Sequence, residues 1–74
     1  MNLTLVVSSN CIACRRIENQ LKNIKIMYPQ ISLNVVNINK LRNRHISITP
    51  AILVEDELFS YGEFDENKLI LKIK

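Results

Sequence analysis

The stretch of sequence that decides the fold is LTLVVSSNCIAC, residues 3–14. Its first five residues are nearly all apolar and partly β-branched, which is typical of a strand buried on both faces near the centre of a sheet. The polar SSN that follows, residues 8–10, predicts a turn whose side chains cap the next helix. Cys11 and Cys14 therefore stand where a buried strand gives way to the start of a helix.

The residues from 11 to 28 have the periodicity of a helix. Apolar side chains recur three and four residues apart and so share one helix face. They are Cys14, Ile17, Leu21, Ile24 and Tyr28. Pro29 ends the helix, because the residue before a proline is disfavoured in helical conformation.

A second strand is predicted over residues 31–38, where apolar and polar residues first alternate and then change phase, as at a sheet edge. Two strands separated by a whole helix form a βαβ unit, so they run parallel with a right-handed crossover. Residues 39–47 are polar and basic, and one or two helical turns starting near Asn39 are expected there.

A β-hairpin and a short helix are predicted in the rest of the chain. Ala51–Val54 forms the first strand and residues 58–61 the second, with an acidic turn in which Asp56 has to supply any positive φ. Gly62 ends the hairpin, and Asp65 caps a last helix in which Phe64 packs on Leu69. The predicted order is β-α-β-(α)-β-β-α in a single domain, residues 1–74.

Length and composition exclude several classes of protein. With 47% hydrophobic residues the chain is too apolar for a disordered tail, and its two cysteines are too few for a disulfide-stapled secreted scaffold. It contains no apolar run of the ~20 residues that a membrane span needs. Its first residues lack the basic segment of a signal peptide. We therefore expect a cytoplasmic protein with no membrane partner.

Charge is divided unevenly along the chain. Residues 1–50 contain seven basic residues against Glu18 alone, a net charge of +6, whereas residues 51–74 have a net charge of −3. A basic half can steer an acidic partner or bind nucleic acid. Nucleic-acid binding also calls for stacking aromatics, and none of the four aromatic residues lies within the basic runs 15–25 and 40–44. We expect no nucleic-acid partner.

The CIAC segment admits three interpretations: a redox pair, a metal clamp, or two small residues of the core. Cys11 stands at the first helical turn, whose unpaired N–H groups and dipole lower the pKa of a thiol. Arg15 and Arg16 follow within one turn and are predicted to lower that pKa further. Cys14 belongs to the apolar stripe and is expected to point inward.

This asymmetry is what thiol–disulfide exchange requires. An exposed thiolate attacks a substrate disulfide, and a shielded neighbour then attacks the mixed disulfide and releases the product. The i, i+3 spacing at a helix start brings the two side chains close enough to bond to each other. Cys11 and Cys14 are therefore the predicted catalytic residues.

The Thr49–Pro50 step is the second feature with chemical meaning. A cis bond there would turn the chain towards the cysteine loop and free the Thr49 backbone to pair with an extended substrate, whereas a trans proline at the start of a strand is structurally ordinary. The residues alone leave both possibilities open. Gly62 either ends the hairpin or lets a substrate backbone approach. His45 is expected to be a solvated loop residue rather than a metal ligand.

The chain resembles the thioredoxin-like superfamily in its order of strand, CIAC, helix, second strand, TPAILV (residues 49–54), acidic hairpin, lone glycine and final helix. It is most similar to the minimal, glutaredoxin-sized redox proteins of archaea and bacteria, and the resemblance covers nearly the whole chain. It implies an α/β fold whose four-stranded mixed sheet has the order 2-1-3-4, with flanking helices. It also implies that Cys11 attacks, Cys14 resolves, and Pro50 is a cis proline facing them.

The resemblance implies a function as well. The protein is expected to be a thiol–disulfide oxidoreductase of cell redox homeostasis and electron transport, with no cofactor beyond its redox-active disulfide and no metal. The expected substrate-binding residues are Ile12, Ala13, Thr49, Pro50 and Gly62. The expected partners are protein disulfides and an upstream reductase, and the protein is expected to be a monomer. Glutaredoxins usually have a glycine pair before the last helix, so the lone Gly62 indicates thioredoxin-like rather than glutathione-dependent activity.

The alternative from another class is a soft-metal carrier that binds Cu(I) or Zn through the C-x-x-C pair. Carriers of the heavy-metal-associated kind also place C-x-x-C between the first strand and the first helix. They run β-α-β-β-α-β, end in a strand, and usually have a methionine two residues before the first cysteine, where this chain has Ser9. Ser9 and the predicted final helix therefore favour the redox interpretation.

Overall fold

The order of strands and helices follows the pattern of the sequence closely. The computed structural model describes residues 1–41 and 46–73. They form β1 (Asn2–Val7), α1 (Ile12–Met27), β2 (Ser32–Asn37), a 3₁₀ turn (Ile38–Lys40), β3 (Ala51–Val54), β4 (Glu57–Tyr61) and α2 (Glu66–Ile73). The predicted strands and the first helix differ from these bounds by one residue at most at each end. Neither α1 nor α2 is long and apolar enough to cross a membrane.

The strands of the described chain form one mixed sheet in the order β2-β1-β3-β4. β1 pairs in parallel with β2, with Leu5 opposite Val35, and antiparallel with β3, with Leu5 opposite Ile52. β4 pairs antiparallel with β3. The predicted order 2-1-3-4 and the central place of the first strand are both confirmed. The apolar run of β1 is explained by this place, because a central strand is covered on both faces.

The main core lies between the sheet and both described helices, which pack on the same face of the sheet. Alternate residues of β1 and β3 point to this face and meet the apolar stripe of α1. The buried members of the cluster are Leu3, Leu5, Ile17, Leu21, Ile24, Ile31, Ile52, Val54 and Leu69. The stripe predicted from the spacing is thus confirmed, with Cys14 buried at its beginning.

A smaller cluster covers the opposite face of the sheet. Val6, Ala51 and Leu53 are buried there, and the partly buried Ile38, Leu41 and Ile46 pack against them. The segment that supplies this cover was predicted to be helical from near Asn39. The described part of it is only a three-residue 3₁₀ turn, at whose start the side-chain oxygen of Asn37 accepts a 2.9 Å hydrogen bond from the backbone N–H of Asn39. The rest of that prediction falls on residues 42–45, outside the described residues, as do Arg42, Arg44 and His45.

The hairpin turn differs from the prediction at one residue, and the start of the last helix agrees with it. Asp56 has the predicted positive φ, 68°, but Glu55 has one as well, 51°, so the turn has two residues and Glu57 already pairs with Val54. The side chain of Asp65 accepts a hydrogen bond of 2.9 Å from the amide of Asn67 and so caps α2. Phe64 and Leu69, the predicted staple pair, belong to the same core cluster.

Candidate functional site

The two cysteines form a disulfide across the first turn of α1. Their Cα atoms are 5.2 Å apart, within the range of ordinary disulfides. Cys11 is the N-cap residue, with extended backbone angles, and Cys14 lies inside the helix. The predicted proximity of the pair is therefore confirmed.

The sulfur of Cys11 also caps the helix. Its Sγ accepts a hydrogen bond of 3.0 Å from the backbone N–H of Cys14. Residues 8–10 were predicted to supply the cap, and that prediction is wrong. The chain turns at Asn10, which has a positive φ of 56°, so the extended residue directly before the helix is Cys11 itself. One of the unpaired N–H groups of a helix start is thus directed at a cysteine sulfur.

The two cysteines differ in their exposure to solvent. Cys14 is only 3% exposed, whereas Cys11 is partly exposed. Ile12, between them, is 78% exposed, and Ala13 is exposed as well. A substrate approaching this turn therefore meets Cys11 and the two intervening residues before it can reach Cys14.

Thr49 and Pro50 lie at the end of the sheet where the cysteine loop begins. β3 starts at Ala51, which pairs with Val6 near the end of β1, so the residues before β3 lie beside the residues that lead to Cys11. The hydroxyl groups of Ser8 and Thr49 are 2.7 Å apart. The Thr49–Pro50 peptide bond is cis, as the resemblance implies.

Gly62 lies at the same end of the sheet and is hydrogen-bonded there. Its N–H donates a 2.6 Å hydrogen bond to the carbonyl oxygen of Pro50, and its φ is 64°. The strand order thus brings Cys11, Thr49, Pro50 and Gly62 to one end of the sheet, although the sequence separates them widely. Their roles in substrate binding remain predictions.

The charges around the disulfide are mainly positive. The first turn of α1 contains no acidic residue, so no carboxylate of that turn offsets the positive end of the helix dipole. Arg15 and Arg16 are both exposed, and a guanidinium nitrogen of Arg16 lies 3.9 Å from a carboxylate oxygen of Glu63. Such an exposed pair contributes little to stability. The predicted effect of Arg15 and Arg16 on the Cys11 thiol stays a prediction.

A cleft of about 250 Å³ lies beside the cysteine turn, between α1 and the segment that leads into α2. It is lined by Ala13, Arg16, Ile17, Gln20, Glu63 and Phe64. Gln20 donates a 2.9 Å hydrogen bond to Glu66 and so ties α1 to α2 at this cleft. Sequence reasoning missed Gln20, Glu63 and Phe64 as residues of the site, and it missed Ser8, because contacts between distant segments leave no local pattern.

The interior of the described chain is apolar. Leu5, in the middle of β1, is fully buried, and no polar or charged residue of the described chain is buried. Within residues 1–41 and 46–73, no group of three or more His, Cys, Asp or Glu side chains is placed to hold a metal ion.

No protein-family model matches the sequence, and no curated protein matches it. The function of this site therefore has to be inferred from its own geometry.

Proposed function

We propose that this protein is a small thiol–disulfide oxidoreductase with a thioredoxin-like fold. One observation carries the proposal: a disulfide joins the N-cap residue of α1 to a buried cysteine one turn later, and the N–H of Cys14 is hydrogen-bonded to Cys11 Sγ. The strand order 2-1-3-4 and the placement of Thr49 and Pro50 at the same end of the sheet support the choice of fold.

We propose different tasks for the two sulfurs. In the reduced protein the Cys11 thiolate attacks one sulfur of a substrate disulfide, so a Cys11–substrate S–S bond forms while the substrate bond breaks and releases a thiolate. Cys14 then gives its proton to the thiolate released in the first step and attacks Cys11 Sγ. This second step breaks the mixed disulfide and releases the second substrate sulfur as a thiolate, which takes a proton from water. The substrate has gained two electrons, and the protein, which has lost them, is left with the Cys11–Cys14 disulfide.

The helix start makes Cys11 the better nucleophile of the pair. A thiolate at the N-cap is stabilised by the helix dipole and by the N–H that already contacts its sulfur. Cys14 is only 3% exposed and belongs to the apolar stripe of α1, where burial disfavours a charge, so its thiolate is expected to be less stable than that of Cys11. The exposed thiol is therefore the reactive one, and the buried thiol stays protonated until the mixed disulfide has formed.

The substrates that we propose are protein disulfides, and an upstream dithiol reductase returns the Cys11–Cys14 disulfide to the dithiol. The exposed Ile12 and Ala13 offer an apolar contact next to Cys11, and Thr49 offers backbone groups for an extended substrate segment. Gly62, next to Pro50, has no atoms within 4 Å of the position of a Cβ, so space is open there for an approaching backbone.

The soft-metal alternative is less favoured by the order of elements. The chain runs from the β3–β4 hairpin directly into helix α2, which is the last element of the described residues. Heavy-metal-associated carriers, in contrast, end in a strand. Metal binding by the reduced C-x-x-C pair nevertheless uses the same two sulfurs, so the experiment has to separate the two functions.

The deciding experiment traps the mixed disulfide. A Cys14→Ser variant is incubated with a peptide that contains one intramolecular disulfide, and the intact mass is measured. A covalent adduct through Cys11 is expected to accumulate, whereas a Cys11→Ser variant, the matched control, forms much less of it because Cys14 is buried. If the Cys14→Ser variant forms no adduct, the oxidoreductase function is excluded.

A second measurement separates redox chemistry from metal carriage. The unmodified protein is equilibrated with thiol–disulfide redox buffers in the presence of a chelator, free thiols are alkylated, and the mass is read. A single two-electron transition is expected. An absent transition, together with stoichiometric Cu(I) binding by the reduced protein, would instead make the protein a metal carrier.

A further inference from the structure

The outer edge of β2 presents main-chain groups to which no described strand is paired. β2 is the first strand of the sheet order, and β1 is its neighbour on the inner side. The N–H of Ser32 donates to the carbonyl of Met1 at 2.9 Å and so points inward. The side to which the main-chain N–H and C=O groups point alternates from one residue of a strand to the next. The main-chain groups of Asn34 and Val36 therefore also point inward, towards β1. Those of Leu33, Val35 and Asn37 point outward.

Among the described residues, β2 itself contains no charge, proline or bulge of the kind that usually prevents strand addition. The sequence of β2, SLNVVN, contains no charged residue and no proline, and its pairing with β1 runs in register over all six residues. The opposite edge is formed by β4, which begins with Glu57 and carries an irregularity opposite Ile52 and Leu53. Natural sheets block open edges with charges, prolines or bulges of this kind. Val35 is 44% exposed on the unprotected edge.

Lysine side chains stand near both ends of β2, while the carboxylate of Glu55, on the inner side, accepts a hydrogen bond from the N–H of Asn2 and lies near the ammonium of Met1. The sequence contains no Asp or Glu from residue 19 to residue 54. The ammonium of Lys25 is held 3.0 Å from the carbonyl oxygen of Ile31, at the start of β2, and the exposed Lys40 follows its end. Two copies of this chain paired through β2 would bring the lysines of both copies together, and these like charges repel each other. A negatively charged segment is attracted to both ends of the strand.

We propose that β2 is a docking edge that adds an extended acidic peptide segment of a partner protein as a fifth strand. The main-chain groups of Leu33, Val35 and Asn37 would bind the segment, and Lys25 and Lys40 would attract its carboxylates. Leu33 and Val35 lie on the α1 face of the sheet, while the exposed Ser32 and Asn34 lie on the other face. The segment that fits therefore alternates apolar and acidic residues.

Docking at β2 is independent of the proposed thiol chemistry. β1 separates β2 from β3, and β3 is the strand that begins with the Thr49–Pro50 step. A bound segment therefore leaves the disulfide accessible. Binding is expected to be the same for the oxidised protein and for the reduced protein, so failure of one proposal does not imply failure of the other.

The probe is the blocked peptide Ac-DVEVDVEV-NH2. We expect its binding to slow hydrogen exchange at the amides of Leu33, Val35 and Asn37, and isothermal titration calorimetry gives its affinity. A peptide of the same length with lysine in place of each acid is the charge control. A version N-methylated at alternate residues is the hydrogen-bonding control. Both controls are expected to bind at least about tenfold more weakly, because each loses ion pairs or main-chain hydrogen bonds.

The matched variants of the protein are Val35→Pro and Val35→Thr. Proline removes an outward N–H while the inward ladder to β1 keeps its donors, and it is expected to weaken binding about tenfold. Threonine keeps the N–H and a β-branched shape and should leave the affinity within about twofold. Replacing both Lys25 and Lys40 by Gln should weaken binding about fivefold at low salt.

Several outcomes would overturn the proposal. Equal binding of the acidic and lysine peptides, or full binding of the N-methylated peptide, would exclude an acidic added strand; the peptide comparison decides this even if Val35→Pro fails to fold. A concentration-dependent dimer that Val35→Lys abolishes would assign the edge to a second copy of the chain. A third outcome is that the protein binds no peptide but binds a single-stranded oligonucleotide tightly, and that Val35→Pro leaves this binding unchanged. The basic residues near β2 would then serve nucleic-acid binding.

Discussion

The side-chain hydroxyl groups of Ser8 and Thr49 lie 2.7 Å apart although 41 residues separate them in the sequence. Ser8 belongs to the loop between β1 and Cys11, and Thr49 directly precedes Pro50. This bond therefore links the segment that leads to Cys11, the proposed attacking cysteine, to the segment that is expected to hold the substrate. It is the only side-chain link between these two segments that the described residues show.

The Ser8–Thr49 bond should couple the two segments energetically. We expect Ser8→Ala and Thr49→Val each to lower the free energy of unfolding of the oxidised protein by about 1 kcal/mol. The double variant should cost less than the sum, because either single change already breaks the bond. Ser9→Ala, at an exposed neighbouring position, is the control and should change little. Urea unfolding measures all four, and strictly additive costs would contradict the coupling.

A negative charge at the start of α1 should slow the alkylation of the Cys11 thiol. Ile12 is 78% exposed in the first helical turn, and Ile26 is 75% exposed near the other end of the helix. Ile12→Glu opposes a thiolate at Cys11, so it should raise the pKa of that thiol and slow its alkylation near pH 7 about threefold. The measurement is the rate of alkylation of the reduced protein against pH.

Ile26→Glu is the matched control for that prediction. It adds the same charge to an equally exposed isoleucine of the same helix, about three to four turns away. The rate profile of this variant should coincide with that of the unmodified protein. Equal slowing by both variants would show that net charge, rather than the helix start, controls the reactivity of Cys11.

Helix α2 should depend on one buried side chain. Leu69 is fully buried in the main core, whereas Leu71, on the same helix, is 73% exposed. Leu69→Ala is expected to lower the free energy of unfolding by about 3 kcal/mol, because it removes buried methyl groups and leaves a cavity. Leu71→Ala should change it by less than about 0.5 kcal/mol. Similar losses for the two variants, measured by urea unfolding, would be inconsistent with the packing described for α2.

The effect of replacing Gly62 on the free energy of unfolding should depend on the backbone conformation that the new residue favours, and not on the volume of its side chain. Its φ is 64°, and no atom lies within 4 Å of the position that a Cβ would take. Gly62→Ala is expected to cost about 1 kcal/mol, because alanine disfavours the left-handed region. Gly62→Asn should cost less, since asparagine visits that region more readily. An alanine variant as stable as the unmodified protein would show that the turn can relax to negative φ.

Much of the fold was predictable because its elements depend on short-range patterns. The stripe from Cys14 to Ile24 indicates both the helix and the face that it buries. The apolar run of β1 indicates a central strand, and Asp65 indicates the start of α2. In each case, the side chains that decide the local structure lie within a few residues of one another, so periodicity and capping chemistry are sufficient.

The cap prediction was wrong because the local sequence admits more than one solution. Ser8, Ser9 and Asn10 are all good capping residues, and only the turn at Asn10 decides that Cys11 takes the cap position. The helical segment predicted from near Asn39 begins with a 3₁₀ turn, and its later part lies outside the described residues. Ile38 and Leu41 of this segment pack on the face of the sheet opposite α1.

The sequence by itself determined the order of the elements, the burial of Cys14, and the proximity of Cys11 to Cys14, since all three follow from spacings of a few residues. The tertiary structure alone decided that Ser8 meets Thr49, that Gly62 meets Pro50, and that Gln20 meets Glu66. These contacts depend on how β1, β3 and the two described helices are arranged around the sheet. A contact between distant segments exists only after the strands have paired, so no local pattern of residues can specify it.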